Sequence, residues 1–483
     1  MIRRFPLTLL FSIEIGCFFR TIWSARSRLL LAHQLRRGDR PSCERVFDNG
    51  QLLRLVALAG AGGGAGGFRP ADVADFAIRR VEDGSHLVLD EMPGAHVARL
   101  FLRPNHFSRL RIGAQDFHGL LGSEGHFEIA PPPASLDQLQ WFHSARYLEE
   151  MQRAAGGDLT VEGWNMGLGG PDTPVFKDMF EWGAWACGAG LMAADLLLQH
   201  KADIAFNLLG GFHHAMTERA AGFCYLNDVV LACLKLAGAG RRVLYLDVDA
   251  HHGDGVQSAF YRRDDVLTIS LHETGRTLFP WGGFENEIGE GLGLGFNVNV
   301  PLPPQSYDGA FLTAFNRVVL PLMEAYAPDV IVLELGMDTL AGDPLTHLRM
   351  TNNIVVEILE PLLRFQRPLL VAGGGGYHVE NTVRGWALAW RTCCGEDVED
   401  FGMGMGGVML ANTEWAGGLR DRTLAVTAEQ RRAVEPDLQT TIQYLLNHVF
   451  QFHGLRADPH RTVTASRPFL STDEHTKPNR TIL

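Results

Sequence analysis

The stretch Val243-Leu-Tyr-Leu-Asp-Val-Asp-Ala-His-His-Gly-Asp-Gly255 decides the fold class. It opens on an apolar run without alternation, the pattern of a strand buried on both faces, and then crowds five titratable residues into eight positions. The same succession recurs along the chain. Apolar runs at 204–209, 330–335 and 369–372 lead into Gly210-Gly-Phe-His-His-Ala215, Leu335-Gly-Met-Asp-Thr-Leu-Ala-Gly-Asp-Pro344 and Ala372-Gly-Gly-Gly-Gly-Tyr-His378. Further strand patterns fall at 266–271 and 296–300. Helical spacing fills the intervals at 179–199, 226–236, 307–325, 353–365 and 380–391. Strands buried on both faces and separated by helices predict an α/β class, a mostly parallel multi-stranded sheet flanked by helices on both faces. Ligands of such sheets bind beyond the carboxyl ends of the strands, where the polar and glycine-rich segments lie.

The composition narrows the function. Among 483 residues, 43 Lys+Arg against 55 Asp+Glu leave a net charge of −12, and the four lysines (Lys177, Lys201, Lys235, Lys477) form no basic run. A dedicated nucleic-acid binder needs a basic surface, so direct nucleic-acid binding is not expected. No polybasic membrane patch is visible either. Seven scattered cysteines give no disulfide framework and no CxxC pair, and Cys393-Cys394 reads as two thiols near a helix end. A reducing, cytoplasmic compartment is the expectation. Arg3-Arg4 and the apolar run 5–19 imitate a signal peptide, but Glu14 interrupts the run, which is shorter than a membrane span. Residues 1–100, with the glycine-rich stretch 60–67 and short helical patterns at 51–58 and 72–81, read as an N-terminal extension of undefined fold. A catalytic unit is expected over 101–425, entered through a helix at 135–151. A C-terminal helix interrupted at Pro436 and a loose tail fill 426–483.

Each polar segment alone has an ordinary explanation as a cap, a tight turn or a surface histidine. All four at one edge of one sheet do not, because unpaired carboxylates and imidazoles there would repel or be desolvated unless something binds them. A divalent cation answers this. Asp249 and His251, two apart where a strand ends, can face one point, and Asp338 supplies a third ligand from another strand. One histidine and two carboxylates with an open position fit a catalytic Zn²⁺, since a structural zinc is closed by four ligands. Such a cation makes water nucleophilic near neutral pH.

These segments, with Trp141-Phe-His-Ser144 and Gly222-Phe-Cys-Tyr-Leu-Asn-Asp228, resemble the histone deacetylase family over residues 127–400, including its bacterial acetoin-utilisation and acetylpolyamine-hydrolase relatives on the arginase/deacetylase fold. The resemblance implies that Asp249, His251 and Asp338 hold zinc, with Fe²⁺ as the alternative. It implies that His213 and His214 move protons, His214 as general base and acid, that Asp247 orients His213 and Asp254 orients His214. Tyr377 would then donate to the developing oxyanion. The reaction implied is hydrolysis of an acetyl or other short acyl group from a lysine side chain.

By the same resemblance, Gly222, Phe223 and Phe279 line a tunnel for the lysine stem, and Asp172 grips the substrate backbone at the rim. Leu345 stands where polyamine-specific relatives place a glutamate, so an acylated lysine of a protein is favoured over a small acylated polyamine. Carbonyls around Asp247, Asp249 and His251, with Ser270 and Leu271, match a structural K⁺ site. Arg111, in Arg109-Leu-Arg-Ile112, is the counterpart of an arginine beside an internal channel, and the family's opening strand is not recognisable upstream of 127. Gly253 stands where a binuclear manganese relative would need a carboxylate, which disfavours that chemistry. The remaining alternative is an inactive interaction module that keeps the fold, but no ligand and no tyrosine is lost.

Overall fold

The structure, a computed structural model, describes residues 129–395 and 419–456, together with the backbone of residues 79–80 and 87–88. Arg79–Arg80 pairs antiparallel with Leu87–Val88, so these residues are extended where the pattern at 72–81 suggests a helix. The apolar run 5–19, the short pattern at 51–58, the glycine stretch 60–67, Arg111 with the region expected to hold the opening strand, and the tail beyond 456 lie outside the described residues.

Six apolar runs form one parallel sheet: β1 (Ile204–Asn207), β2 (Val243–Asp247), β3 (Val266–Glu273), β4 (Asn297–Leu302), β5 (Val330–Glu334) and β6 (Leu369–Ala372). Their spatial order is β1-β6-β5-β2-β3-β4, every pairing parallel. Strands β2, β3, β4 and β5 are buried along their whole length. Strands β2 and β5 are apolar up to a terminal acid, whereas β3 and β4 also bury polar residues such as Thr268, His272 and Asn297. Alternate residues feed opposite cores. Leu244, Leu246, Ile331 and Leu333 face one side, and Val243, Tyr245, Val330 and Val332 face the other. The α/β sheet covered by helices on both faces is therefore as the sequence implies.

The helices are α1 (Ala145–Ala155), α2 (Met179–Leu198), α3 (Asp228–Gly238), α4 (Asp254–Phe260), α5 (Asp308–Ala314), α6 (Leu320–Tyr326), α7 (Asn353–Arg364), α8 (Val379–Cys393) and α9 (Ala428–His448). Small residues along α2 let it approach its neighbours closely; a Cβ on Gly188 would stand 1.9 Å from the Pro132 carbonyl oxygen. Three expectations about helix continuity need correcting. The segment 135–151 is not one helix, because Leu136–Leu139 ends and Ser144 caps α1 anew by accepting from Tyr147 N. The pattern at 307–325 divides into α5 and α6 around a π turn at Phe315–Val319, next to Pro321, which lacks an amide donor. Conversely, α9 runs unbroken through Pro436. Its apolar face (Val434, Leu438, Ile442, Leu445) is anchored in the same core as the sheet, and tertiary packing outweighs the lost hydrogen bond.

The order of strands positions everything that follows. The connection leaving β2 runs to β3 on one side, while that leaving β5 runs to β6 on the other. Between the carboxyl ends of β2 and β5 the chain paths diverge and leave a crevice.

Candidate active site

Asp247 ends β2 and lies in register with Glu334 at the end of β5 and Ser270 in β3. Beyond Asp247 the backbone turns, with Asp249 N–H donating to Asp247 Oδ1 at 3.0 Å. That turn brings Asp249 and His251 over the crevice, and the loop after β5 brings Asp338. His251 Nδ1 is 2.8 Å from Asp338 Oδ2 and 3.3 Å from Asp249 Oδ1. One ligand atom of each residue lies within 4.8 Å of the others, and all three side chains are buried. Backbone amides hold the carboxylates in place: Gly375 N–H donates to Asp249 Oδ2 (2.6 Å) and Ala250 N–H to Asp338 Oδ1 (2.8 Å). Gly375 can only be glycine, since a Cβ would come 2.1 Å from Asp338 Oδ2. The three sequence-predicted ligands thus converge, and two carboxylates with one imidazole are the donor set of an open divalent-cation site.

Electrostatics agree with a site built around positive charge. Burial opposes a charged imidazole, yet Asp338 and Asp249 outweigh it and raise His251 to about 10. Burial and the neighbouring Asp249 charge push Asp338 up to about 7.

The two tandem histidines face each other, Nε2 to Nε2, at 3.0 Å. His213 Nδ1–H donates to Asp247 Oδ2 (3.0 Å), and Tyr245 Oη–H donates to the same oxygen (2.7 Å). His214 Nδ1–H donates to Asp254 Oδ1 at 2.8 Å. Burial works against charge on His213, but Asp247, Asp249 and Glu334 raise it well above the ordinary histidine range. Burial and the charge on His213 lower His214 to about 4. The pair therefore carries a single positive charge, kept on His213, and His214 is the neutral member.

Tyr377 follows the Gly373–Gly376 run, its ring 6.3 Å from that of His251 and 5.8 Å from that of Phe223. Burial and the charges of Asp338 and Asp249 raise its hydroxyl well above the usual phenol range, so it stays protonated. Phe279 packs 4.9 Å from the His214 ring. Gly222 adopts φ +54°, and a Cβ there would come 2.4 Å from His214 and 2.8 Å from Phe279. Gly222 N–H donates to Asp172 Oδ2 at 3.0 Å, joining the loop before α2 to the Gly222–Phe223 turn. Leu345 is partly exposed on the loop after β5, its N–H donating to Asp343 Oδ1. Ser270 and Leu271 lie in β3 beside Asp247, and Ser270 Oγ sits 2.7 Å from His272 Nδ1.

Three buried acids of the site escape the sequence reading. Asp343 accepts from both Leu345 N–H and Tyr377 N–H (2.7 Å), joining the rim to the tyrosine loop; an Asp before Pro344 was the available signal. Asp228, the first residue of α3, accepts from Gly211 N–H (3.0 Å) and Phe212 N–H (2.9 Å) and so fixes the approach to His213; burial pushes it to about 6. Glu334 is fully buried, 3.6 Å from His213 Nδ1, with neither oxygen hydrogen-bonded among the described residues. It also lies within reach of His213 and Asp249 as a second triad of ligand type. Burial raises its carboxyl well above the usual range despite the His213 charge, with Asp247, Asp228 and Asp249 adding to the rise. As the last residue of an apolar strand it carried no signal.

Residues 104–393 match the histone deacetylase domain, so the chain belongs to the histone deacetylase family of hydrolases. It is 40% identical to Histone deacetylase 8 of Xenopus laevis over 260 residues, covering 53% of this chain and 80% of that protein. It is 42% identical to the acetoin utilization protein AcuC of Bacillus subtilis (strain 168) over 277 residues, covering 56% of this chain and 72% of that one. The crystal structure of an HDAC homologue complexed with SAHA superposes with a TM-score of 0.58 at 31% identity, covering 68% of this chain and 91% of the other. No helix among the described residues is long and apolar enough to cross a membrane.

Proposed function

We propose that this protein is a zinc-dependent hydrolase that removes acetyl or other short acyl groups from lysine side chains. One observation carries the reading: Asp249, His251 and Asp338 converge within 4.8 Å beside the His213–His214 pair, with Tyr377 next to them. A divalent cation on those three side chains supplies Lewis-acid polarisation of the acyl carbonyl and activation of water. The chain's own residues do the rest. His214, neutral and oriented by Asp254, takes the proton of the attacking water. It returns that proton to the departing lysine nitrogen, which must leave as a neutral amine. His213, held charged by Asp247, puts positive charge beside the developing tetrahedral oxyanion. Tyr377 donates its hydroxyl to that oxygen, and Phe223 and Phe279 enclose the methylene stem and exclude water.

Zinc is preferred over Fe²⁺ for its borderline character toward mixed N and O ligands. A structural K⁺ on the carbonyls of Asp247, Asp249, His251 and Leu271 with Ser270 would balance the buried acids, and residues 101–425 are read as the catalytic unit. A cytoplasmic site of action fits the buried thiols of Cys187, Cys224 and Cys233. Acetate release from an acetyl-lysine peptide by protein loaded with Zn²⁺, with Fe²⁺ in parallel, tests the reading. Folded, metal-loaded protein that releases no acetate would overturn it. Acetylpolyamine hydrolysis is the second reading. The apolar Leu345 at the rim speaks against it, and competition between acetyl-lysine peptide and acetylspermidine decides.

A further inference from the structure

The loop that carries Phe279 into the site has a crest of its own. Trp281, two residues beyond the tunnel aromatic, is 64% exposed and adopts φ +66°, a left-handed conformation that bulky side chains rarely take. The turn is fixed on both sides. Trp281 N–H donates to Leu278 O, and a Cβ on Gly275 would come 2.3 Å from Gly282 O. After the crest the chain dives to Gly283, packed against the His252 and His272 rings. Glycine would sit at position 281 without strain, and an exposed indole there gains nothing from core packing. A strained, solvent-facing aromatic beside a substrate entrance is the kind of outlier that points to a ligand contact.

The face of this indole is open to a partner. Among the described residues, cation–π contacts occur at Tyr326, Phe260 and Tyr307, and none at Trp281. Near Phe279, on the Gly222–Phe223 side, the partly exposed Asp172 carboxylate accepts from Gly222 N–H, and a Cβ on Gly222 would come 2.8 Å from the Phe279 ring. An open indole face two residues from Phe279, a carboxylate joined to the neighbouring Gly222 and a net charge of −12 favour a cationic ligand group.

We propose that Trp281 is a specificity-determining residue that stacks on a lysine or arginine side chain flanking the acylated lysine of a peptide. The proposal rests on the deacylase reading of the site and adds to it a sequence preference for basic neighbours. The test compares full-length wild-type protein with Trp281→Asn, which keeps the left-handed turn without an aromatic face, and Trp281→Phe, which keeps the face. Three substrates are used: an acetyl-lysine peptide with arginine at the adjacent positions, the same peptide with alanine there, and acetylspermidine. Wild type should favour the arginine peptide, and Trp281→Asn should lower that preference by about two- to fivefold through KM rather than kcat. Trp281→Phe should keep most of it, and melting curves should overlay.

Equal losses on both peptides, or none, overturn the proposal. So does a loss confined to acetylspermidine, which would assign the indole to a polyamine cation instead. Wild-type protein inert toward all three substrates overturns the deacylase reading itself, a result distinct from turnover that ignores position 281.

Discussion

The floor of the site and its rim are built by different means. Floor residues stand at or just beyond the carboxyl ends of β2 and β5, buried, with the Asp249 and Asp338 carboxylates held by backbone amides. Rim residues ride on loops: Asp172 before α2, Trp281 on the loop after β3, Leu345 after β5, all at least partly exposed. Charges buried in low dielectric shift one another strongly, which is what proton transfer and cation binding require. Exposed rim groups interact weakly and can vary without unseating the chemistry. Asp343 links the two levels, with one oxygen toward the rim loop and the other toward the Tyr377 loop.

The sharpest break is at the floor. Asp338→Ala removes a ligand and leaves His251 without its nearest carboxylate, so both turnover and retention of zinc should fall to background, read by acetate release and metal analysis. Tyr377→Phe keeps the ring and deletes one donor, which should lower kcat by about 10²–10³ while the metal content stays the same. A protein that loses its metal as well would make Tyr377 part of the cation site rather than an oxyanion donor.

Proton linkage tests the same level without mutation. His251 is raised from 6.5 to about 10 in the cation-free site, so the stability it contributes is full below pH 6.5 and is lost as pH rises through about 10. Chelator-treated protein should therefore lose thermal stability across that window more steeply than zinc-loaded protein. Zinc binding should release a proton and tighten with rising pH, which calorimetry in buffers of different ionisation enthalpy measures.

Asp343→Asn addresses the link between floor and rim. One of two amide donors would face an NH₂ group, costing about 1–3 kcal/mol of stability and lowering kcat and kcat/KM together. An unchanged kcat would detach the rim loop from the tyrosine. The smallest effect is expected at the rim alone: Leu345→Glu should raise the ratio of kcat/KM for acetylspermidine over acetyl-lysine peptide, with metal content and stability unchanged.

Much of this was legible in the chain itself. The Asp-x-Asp-x-His run after a wholly apolar strand, the tandem histidines and the glycine run before Tyr377 announce themselves, because a doubly buried strand cannot carry such residues except at its end. Glu334 was invisible for the converse reason. It occupies the last place of an apolar strand, and nothing local tells a buried acid from an exposed one. The break before Ser144 and the continuity of α9 through Pro436 were equally hidden, since a cap and a well-packed apolar face both override the local pattern. The left-handed turn at Trp281 had no signature, because the neighbouring glycines mark a bend without saying which residue takes the strain.

Residue order alone determined the parallel α/β class and the donor types for cation and proton chemistry, because burial period and side-chain chemistry are local properties. Only the tertiary structure decided that β5 lies beside β2, which sets Asp338 against His251, 87 positions apart in the chain. It also decided the protonation of the histidine pair and the exposure of Trp281. Strand order, dielectric and solvent access arise from packing among distant segments, and no stretch of chain carries them by itself.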